Sequence, residues 1–93
     1  MFPNRFFGYK YILSDSAIRD LKKLDEKISD KIKAKLNELV SRKERLDVKN
    51  IIGSSKEEYR LRVGDYRVIF LDNKKEILIV VVRAGHRKEV YKR

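Results

Sequence analysis

From Tyr59 to Leu71 the chain reads with a period of two on either side of Gly64-Asp65, and few folds can accommodate such a segment. Tyr59-Arg60-Leu61-Arg62-Val63 alternates apolar and basic side chains, and Tyr66-Arg67-Val68-Ile69-Phe70-Leu71 resumes as a second β-prone run. Two residues with Gly first suit a tight hairpin turn. That turn sets a register with Val63 opposite Tyr66 and Arg62 opposite Arg67. Alternation then sends Tyr59, Leu61, Val63, Tyr66, Val68 and Phe70 to one face, and Arg60, Arg62 and Arg67 to the other. Like charges directly opposite one another are unfavourable. Three guanidinium groups on one patch make sense if an anion occupies it. The competing explanation is a solvent-facing sheet in which each Arg meets a nearby Asp or Glu. Ile69, on the same face, argues that the face is not wholly exposed.

Other segments supply partners for this ribbon. Phe6 to Leu13 is aromatic and aliphatic with weak alternation, and reads as a first strand starting near Gly8 or Tyr9. Ser14 or Ser16 can cap a helix in which Ala17, Ile18, Leu21 and Leu24 keep helical spacing. Asp15 and Asp20 lie toward its positive end, Lys22 and Lys23 toward its negative end. A second helix runs from about Lys27 to Lys43, with Ile28, Ile32, Leu36, Leu39 and Val40 in one stripe. Each such helix needs an apolar surface to lie on. Residues 44–58 are the least regular; Val48, Ile51 and Ile52 read as anchors and Gly53-Ser54-Ser55 as a turn. Asp72 to Lys75 is a further turn, and Glu76 to Ala84 a strand whose continuous apolar run marks it as central. Gly85 breaks that strand, leaving the basic tail His86 to Arg93. With no repeat and no linker, residues 1–93 form one domain.

Composition narrows the function classes. At 93 residues and 42% apolar the chain is a small globular domain, not a disordered basic tail. Its net charge of +10 calls for an acidic or polyanionic partner, without choosing one. Residues 1–46 and 47–93 carry 12 basic and 7 acidic groups each, so no charged tail stands out. Without Cys there is no disulfide or thiolate chemistry, and one His with scattered Asp and Glu gives no metal-ligand spacing. The longest apolar run, Ile77 to Val82, is six residues, too short to span a membrane. The N-terminus lacks signal-peptide character, so a cytoplasmic protein is expected. The glycines at 8, 53, 64 and 85 make no phosphate loop, and Ser54-Ser55 has no adjacent base. What remains is phosphodiester chemistry driven by positive charge, or binding alone. A second cluster, Arg83, His86, Arg87, Lys88 and Tyr91, follows the central strand. Arg83 can point either way. His86 is a proton shuttle near neutrality or a polar turn residue. Tyr91 stacks on a base or covers the core's edge.

In order and motif the chain resembles the RelE/ParE superfamily of toxins from toxin–antitoxin pairs. The resemblance rests on Ile18 to Leu24, Gly53, Tyr59 to Phe70, and Gly85-His86-Arg87-Lys88-Glu89-Val90-Tyr91. It implies an α/β (α+β) domain, with two N-terminal helices on a mainly antiparallel twisted sheet of about four strands. RelE-like members cut mRNA in the ribosomal decoding site and are silenced by an antitoxin; ParE-like members poison DNA gyrase. Matched residue by residue, a RelE-like site falls on Arg60, Arg62, Arg67, Arg87 and Tyr91. Arg60 and Arg62 stand where the best-known member has Lys, and Arg is a poor general base. His86 is then a candidate base. The resemblance implies a ribosome-dependent endoribonuclease that needs no metal or cofactor, in which Arg67, Arg87, His86 and Tyr91 are catalytic. Arg60, Arg62, Arg83 and Lys88 position the RNA. The implied partners are a cognate acidic antitoxin and the ribosome with bound mRNA; promoter DNA is reached only through the antitoxin complex, and no membrane is involved. The alternatives are a gyrase inhibitor and an inactive toxin-fold binding protein.

Overall fold

The computed structural model describes residues 4–51 and 57–91. Its elements are β1 (Lys10–Leu13), α1 (Asp15–Lys22), α2 (Glu26–Ser41), β2 (Val48–Asn50), β3 (Glu58–Val63), β4 (Tyr66–Asn73) and β5 (Leu78–His86). The strands form one mixed sheet in the order β1-β5-β4-β3-β2, with β1 parallel to β5 and the other neighbours antiparallel. Both helices pack on one face. Ala17 and Leu21 of α1 and Ile32, Leu36 and Leu39 of α2 join Tyr59, Leu61, Val68, Phe70, Ile79, Val81 and Ala84 in a single core.

The β3–β4 hairpin has the register its turn dictates, with Val63 opposite Tyr66 and Arg62 opposite Arg67. Its apolar set faces the helices, as alternation requires. Ser14 caps α1 by accepting the Ala17 N–H, and Asp25 caps α2 by accepting that of Lys27. Four local expectations need correction. The sheet has five strands, because Val48–Asn50 pairs with β3 inside the stretch that reads as irregular. The first strand begins at Lys10, since residues 5–8 form a turn that tucks Phe6 into the core. The β4–β5 turn lies at 74–77. Gly85 sits inside β5, which continues to His86. The proposed turn at Gly53-Ser54-Ser55 and the anchor Ile52 lie outside the described residues.

One irregularity shapes the upper half of β5. Its pairing with β4 shifts between Ile69 and Phe70, leaving Val82 as an extra, unpaired residue. Pairing with β1 ends at Leu13–Val81, so the edge of β5 beyond the bulge is open. Helix α1 closes it: the Asp20 carboxylate accepts the Ala84 N–H at 3.0 Å and the Arg83 Nε–H at 2.8 Å.

At the opposite end of the core the N-terminal segment is fastened by polar groups. The Asn4 amide donates to the Leu39 and Arg42 carbonyls at the end of α2. Phe6 makes edge contacts with Tyr9, Tyr59 and Phe70. Arg5 donates to the buried Asp72 carboxylate and, at 2.7 Å, to the Tyr59 hydroxyl, which in turn donates to Glu57.

Burial holds the Tyr9 and Tyr59 hydroxyls above the ordinary tyrosine range, with the Asp72 carboxylate beside Tyr9 and the hydrogen bond to Glu57 acting in the same sense. A raised folded-state value gives stability that is complete below the unfolded value of about 10 and lost as pH rises through the folded one. Thermal melting is therefore expected to fall steeply above about pH 10, and less steeply in Tyr59→Phe, when Tm is followed between pH 8 and about pH 11.5.

Backbone strain appears at Ile77, a β-branched residue at φ 52° and 53% exposed, in the β4–β5 turn. A left-handed conformation is disfavoured for any L-residue and most for β-branched ones. Ile77→Gly is expected to stabilise the fold by about 1 kcal/mol, seen as a higher urea midpoint with an unchanged m-value.

Candidate functional site

The sheet face turned away from the helices carries the charge. Residues in register share a face, so β2, β3, β4 and β5 lay down one row of Lys49, Arg60, Ile69 and Arg83, and a second of Arg62, Arg67 and Gly85. Lys49 was missed in the sequence because its strand was missed; three residues give too short a run for alternation to show.

Beyond β5 the chain folds back over this face. The His86 carbonyl accepts the N–H groups of Glu89 and Val90 at 2.8 and 2.9 Å, which bends residues 87–91 into one tight turn. Val90 becomes buried, its Cβ 3.8 Å from the point a side chain on Gly85 would occupy. Because Gly85 shares the parity of Arg67, Val90 lies over the arginine face, where Ile69 is also buried. This accounts for the apolar residue among the arginines. The same turn sets Tyr91, half exposed, into a shallow groove of about 290 Å³ that it lines with Lys49, Asn50, Ile51 and Arg60.

The arginines differ in how they are held. Arg83 is tied to Asp20, which neutralises it. Arg62 is exposed and only 3.9 Å from Asp47, a weak pair in water. Arg67 is buried and turns back on its own hairpin, donating through Nη1 to the carbonyls of Gly64 at 2.7 Å and Tyr66 at 2.9 Å. That contact braces the turn but offsets none of the charge. Arg60 has no acidic partner among the described residues, and its Nε–H is buried without an acceptor. The explanation in which every Arg meets an acid therefore holds for Arg83, weakly for Arg62, and not for Arg60 or Arg67.

The other tail residues divide. Arg87, exposed, opens the turn beyond β5, its N–H donating to the Asp65 carbonyl at 2.8 Å. Lys88 is exposed, and its N–H donates to the His86 ring. His86 is the misfit. It pairs with Tyr66 in the row of Val63, and its ring meets the Tyr66 ring edge-on at 5.4 Å. The imidazole thus lies on the helix side, across the sheet from Arg60, Arg62 and Arg67. Sequence reasoning grouped it with them because it adjoins Arg87, but one residue along a strand reverses the face.

Such a face can hold a polyanion. Its donors are fixed by strand register, Tyr91 adds a flat ring, and most of its charge is unopposed. No curated protein sequence matches the chain, but solved structures do. The RelBE2 toxin–antitoxin complex of Mycobacterium tuberculosis matches with a TM-score of 0.67 and 25% identity, over 86% of this chain and 99% of that one. The RelB–RelE antitoxin–toxin complex of Methanococcus jannaschii gives 0.62 and 28%, over 86% and 94%. The archaeal RelE–RelB complex of Pyrococcus horikoshii gives 0.67 and 23%, over 90% and 100%. The sequence family described as the ParE toxin of type II toxin–antitoxin systems, parDE, matches residues 11–91. The chain therefore belongs to the ParE toxin family and is a type II toxin of the RelE/ParE superfamily.

Proposed function

We propose that this toxin is a ribosome-dependent endoribonuclease, restrained by an acidic antitoxin. The observation that supports this reading best is the unopposed arginine face, above all Arg60 with its buried, unpartnered Nε–H. In the proposed reaction the RNA's 2′-hydroxyl attacks the adjacent phosphorus as the P–O5′ bond breaks. A 2′,3′-cyclic phosphate and a free 5′-hydroxyl result; the 2′ proton leaves to solvent, and the 5′-oxygen takes one from solvent. Arg67 and Arg87 stabilise the charge that builds on the phosphorane oxygens, Arg60 and Arg62 orient the phosphate, and Tyr91 stacks on a base. Arg83 and Lys88 lend charge at the margin, Arg83 with its Nε already committed to Asp20. His86 is given no part, since its ring is on the other face. With no acid–base pair on the arginine face, the ribosome must hold the RNA in line for attack, so free RNA is cut slowly.

The antitoxin is proposed because the similar solved structures are toxin–antitoxin complexes and this chain carries a net charge of +10. A cytoplasmic site of action accompanies both partners.

The test is expression without antitoxin, with 5′ ends mapped on ribosome-associated mRNA. Wild type is expected to cut within codons, and Arg67→Ala and Arg87→Ala to cut about 100-fold less. The name of the matching family keeps a second reading in view: intact messages together with trapped gyrase–DNA cleavage complexes would replace the nuclease with a gyrase poison.

A further inference from the structure

The bend that carries Arg87 and Tyr91 hangs on a side chain absent from the chemistry proposed above. Residues 87–91 form one helical turn, closed by the bond from the Val90 N–H back to the His86 carbonyl. The first N–H groups of such a turn have no partner within it. Here each finds an acceptor. The Asp65 carbonyl takes the Arg87 N–H at 2.8 Å, and the His86 carbonyl takes the Glu89 N–H at 2.8 Å besides that of Val90 at 2.9 Å. The Lys88 N–H donates to Nδ1 of the His86 ring at 3.1 Å. Three of these four hydrogen bonds end on His86.

This is the geometry of a helix N-cap, an extended residue whose carbonyl accepts the first helical bond and whose side chain accepts the N–H two residues on. Asp25 does the same for the Lys27 N–H at the start of α2. His86 has the extended backbone such a cap needs, as the last residue of β5. Accepting at Nδ1 leaves the proton of the neutral imidazole on Nε2. The Tyr66 ring, edge-on at 5.4 Å, packs against the imidazole.

From this geometry we infer that His86 is a positioning residue for the arginine face, acting through the backbone of the turn it caps and not on RNA. The inference rests on the RNA-cleaving function proposed above. The ring stays on the helix side, whereas the turn crosses to the other face, burying Val90 there and bringing Tyr91 beside Lys49 and Arg60. Removing the ring acceptor strands the Lys88 N–H, and the turn that sets Arg87 and Tyr91 opens more often.

Two substitutions separate the ring from the acceptor. His86→Asn loses the ring but puts Oδ1 where Nδ1 was, and His86→Phe keeps a ring against Tyr66 but has no acceptor. Cutting of ribosome-bound mRNA is measured beside amide hydrogen exchange at Lys88, Glu89 and Val90, read by NMR on the free toxin. His86→Asn is expected to match wild type in both. His86→Phe is expected to cut about fivefold more slowly and to exchange these amides about fivefold faster, the worth of a typical cap. A general base predicts that both variants stop cutting, and a packing role predicts loss in His86→Asn alone. Either result, or unchanged cutting or exchange in His86→Phe, overturns the positioning role and leaves the nuclease intact. A wild type that cuts no message overturns the nuclease function and the part of His86 in it, while the exchange rates still report on the cap.

Discussion

Arg5→Ala is expected to destabilise the protein by about 3 kcal/mol, a large share of what a domain of this size commands. Arg5 is the only cation paired with the Asp72 carboxylate among the described residues, and that side chain has no exposed surface. Breaking a buried pair by removing one member strands the other in a poorly solvated place, which costs about 3–5 kcal/mol. The lower end applies here because the Arg5 side chain is itself 44% exposed, so water screens part of the attraction. Arg5 also donates to Tyr59 and lies over the Phe6 and Tyr59 rings, 5.0 and 5.3 Å from their centroids, contacts that vanish with it. The double variant Arg5→Met, Asp72→Leu is expected to recover most of the loss, because an apolar pair of similar bulk leaves no charge to solvate. Urea unfolding of the wild type, both single variants and the double variant closes the cycle. A loss below about 0.5 kcal/mol in Arg5→Ala would place this pair with surface ion pairs.

The contrast between this clamp and the arginine face shows what a sequence discloses. The hairpin was legible because Gly64-Asp65 fixes a turn, and a turn fixes which residues share a face. Placing Arg60, Arg62 and Arg67 together needed nothing else. The helix stripes were legible for the same reason, and Ile32, Leu36 and Leu39 are wholly buried. Where local rules gave way, a distant partner had decided the structure. Val48–Asn50 carries no strand signal of its own and becomes β2 by pairing with β3, and that pairing brings Lys49 and Asn50 to the site. Gly85 would end an isolated strand, yet β5 runs through it with Arg67 opposite, and Val90 covers the space a side chain would fill. Arg83 looked free to point either way because Asp20, its partner, is 63 residues distant in sequence. His86 was misplaced since adjacency to Arg87 was taken for a shared face, whereas strand parity sets its ring beside Tyr66. Arg5 and Asp72 stand 67 residues apart, and nothing near either one announces the other.

Arg60→Met is expected to change stability and activity in opposite directions. The free toxin carries a buried Nε–H without an acceptor, in a row with Lys49 and across the face from Arg62. A buried unpaired donor costs about 1–3 kcal/mol, and like charges in neighbouring positions add to the strain. Methionine keeps an apolar stem that reaches about as far as Nε and removes both costs, so the urea midpoint should rise, by an amount equivalent to about 1 kcal/mol. Cleavage of ribosome-bound mRNA should fall about 100-fold, because the guanidinium that orients the phosphate is gone. Arg60→Lys separates charge from shape. It keeps the cation but not the planar fork, and should lie between wild type and Arg60→Met in cutting. An Arg with a merely structural role predicts the reverse for the methionine variant, a lower midpoint with cutting unchanged. A residue that weakens the resting fold and is needed only when an anion arrives is the pattern expected where function is kept at the expense of stability.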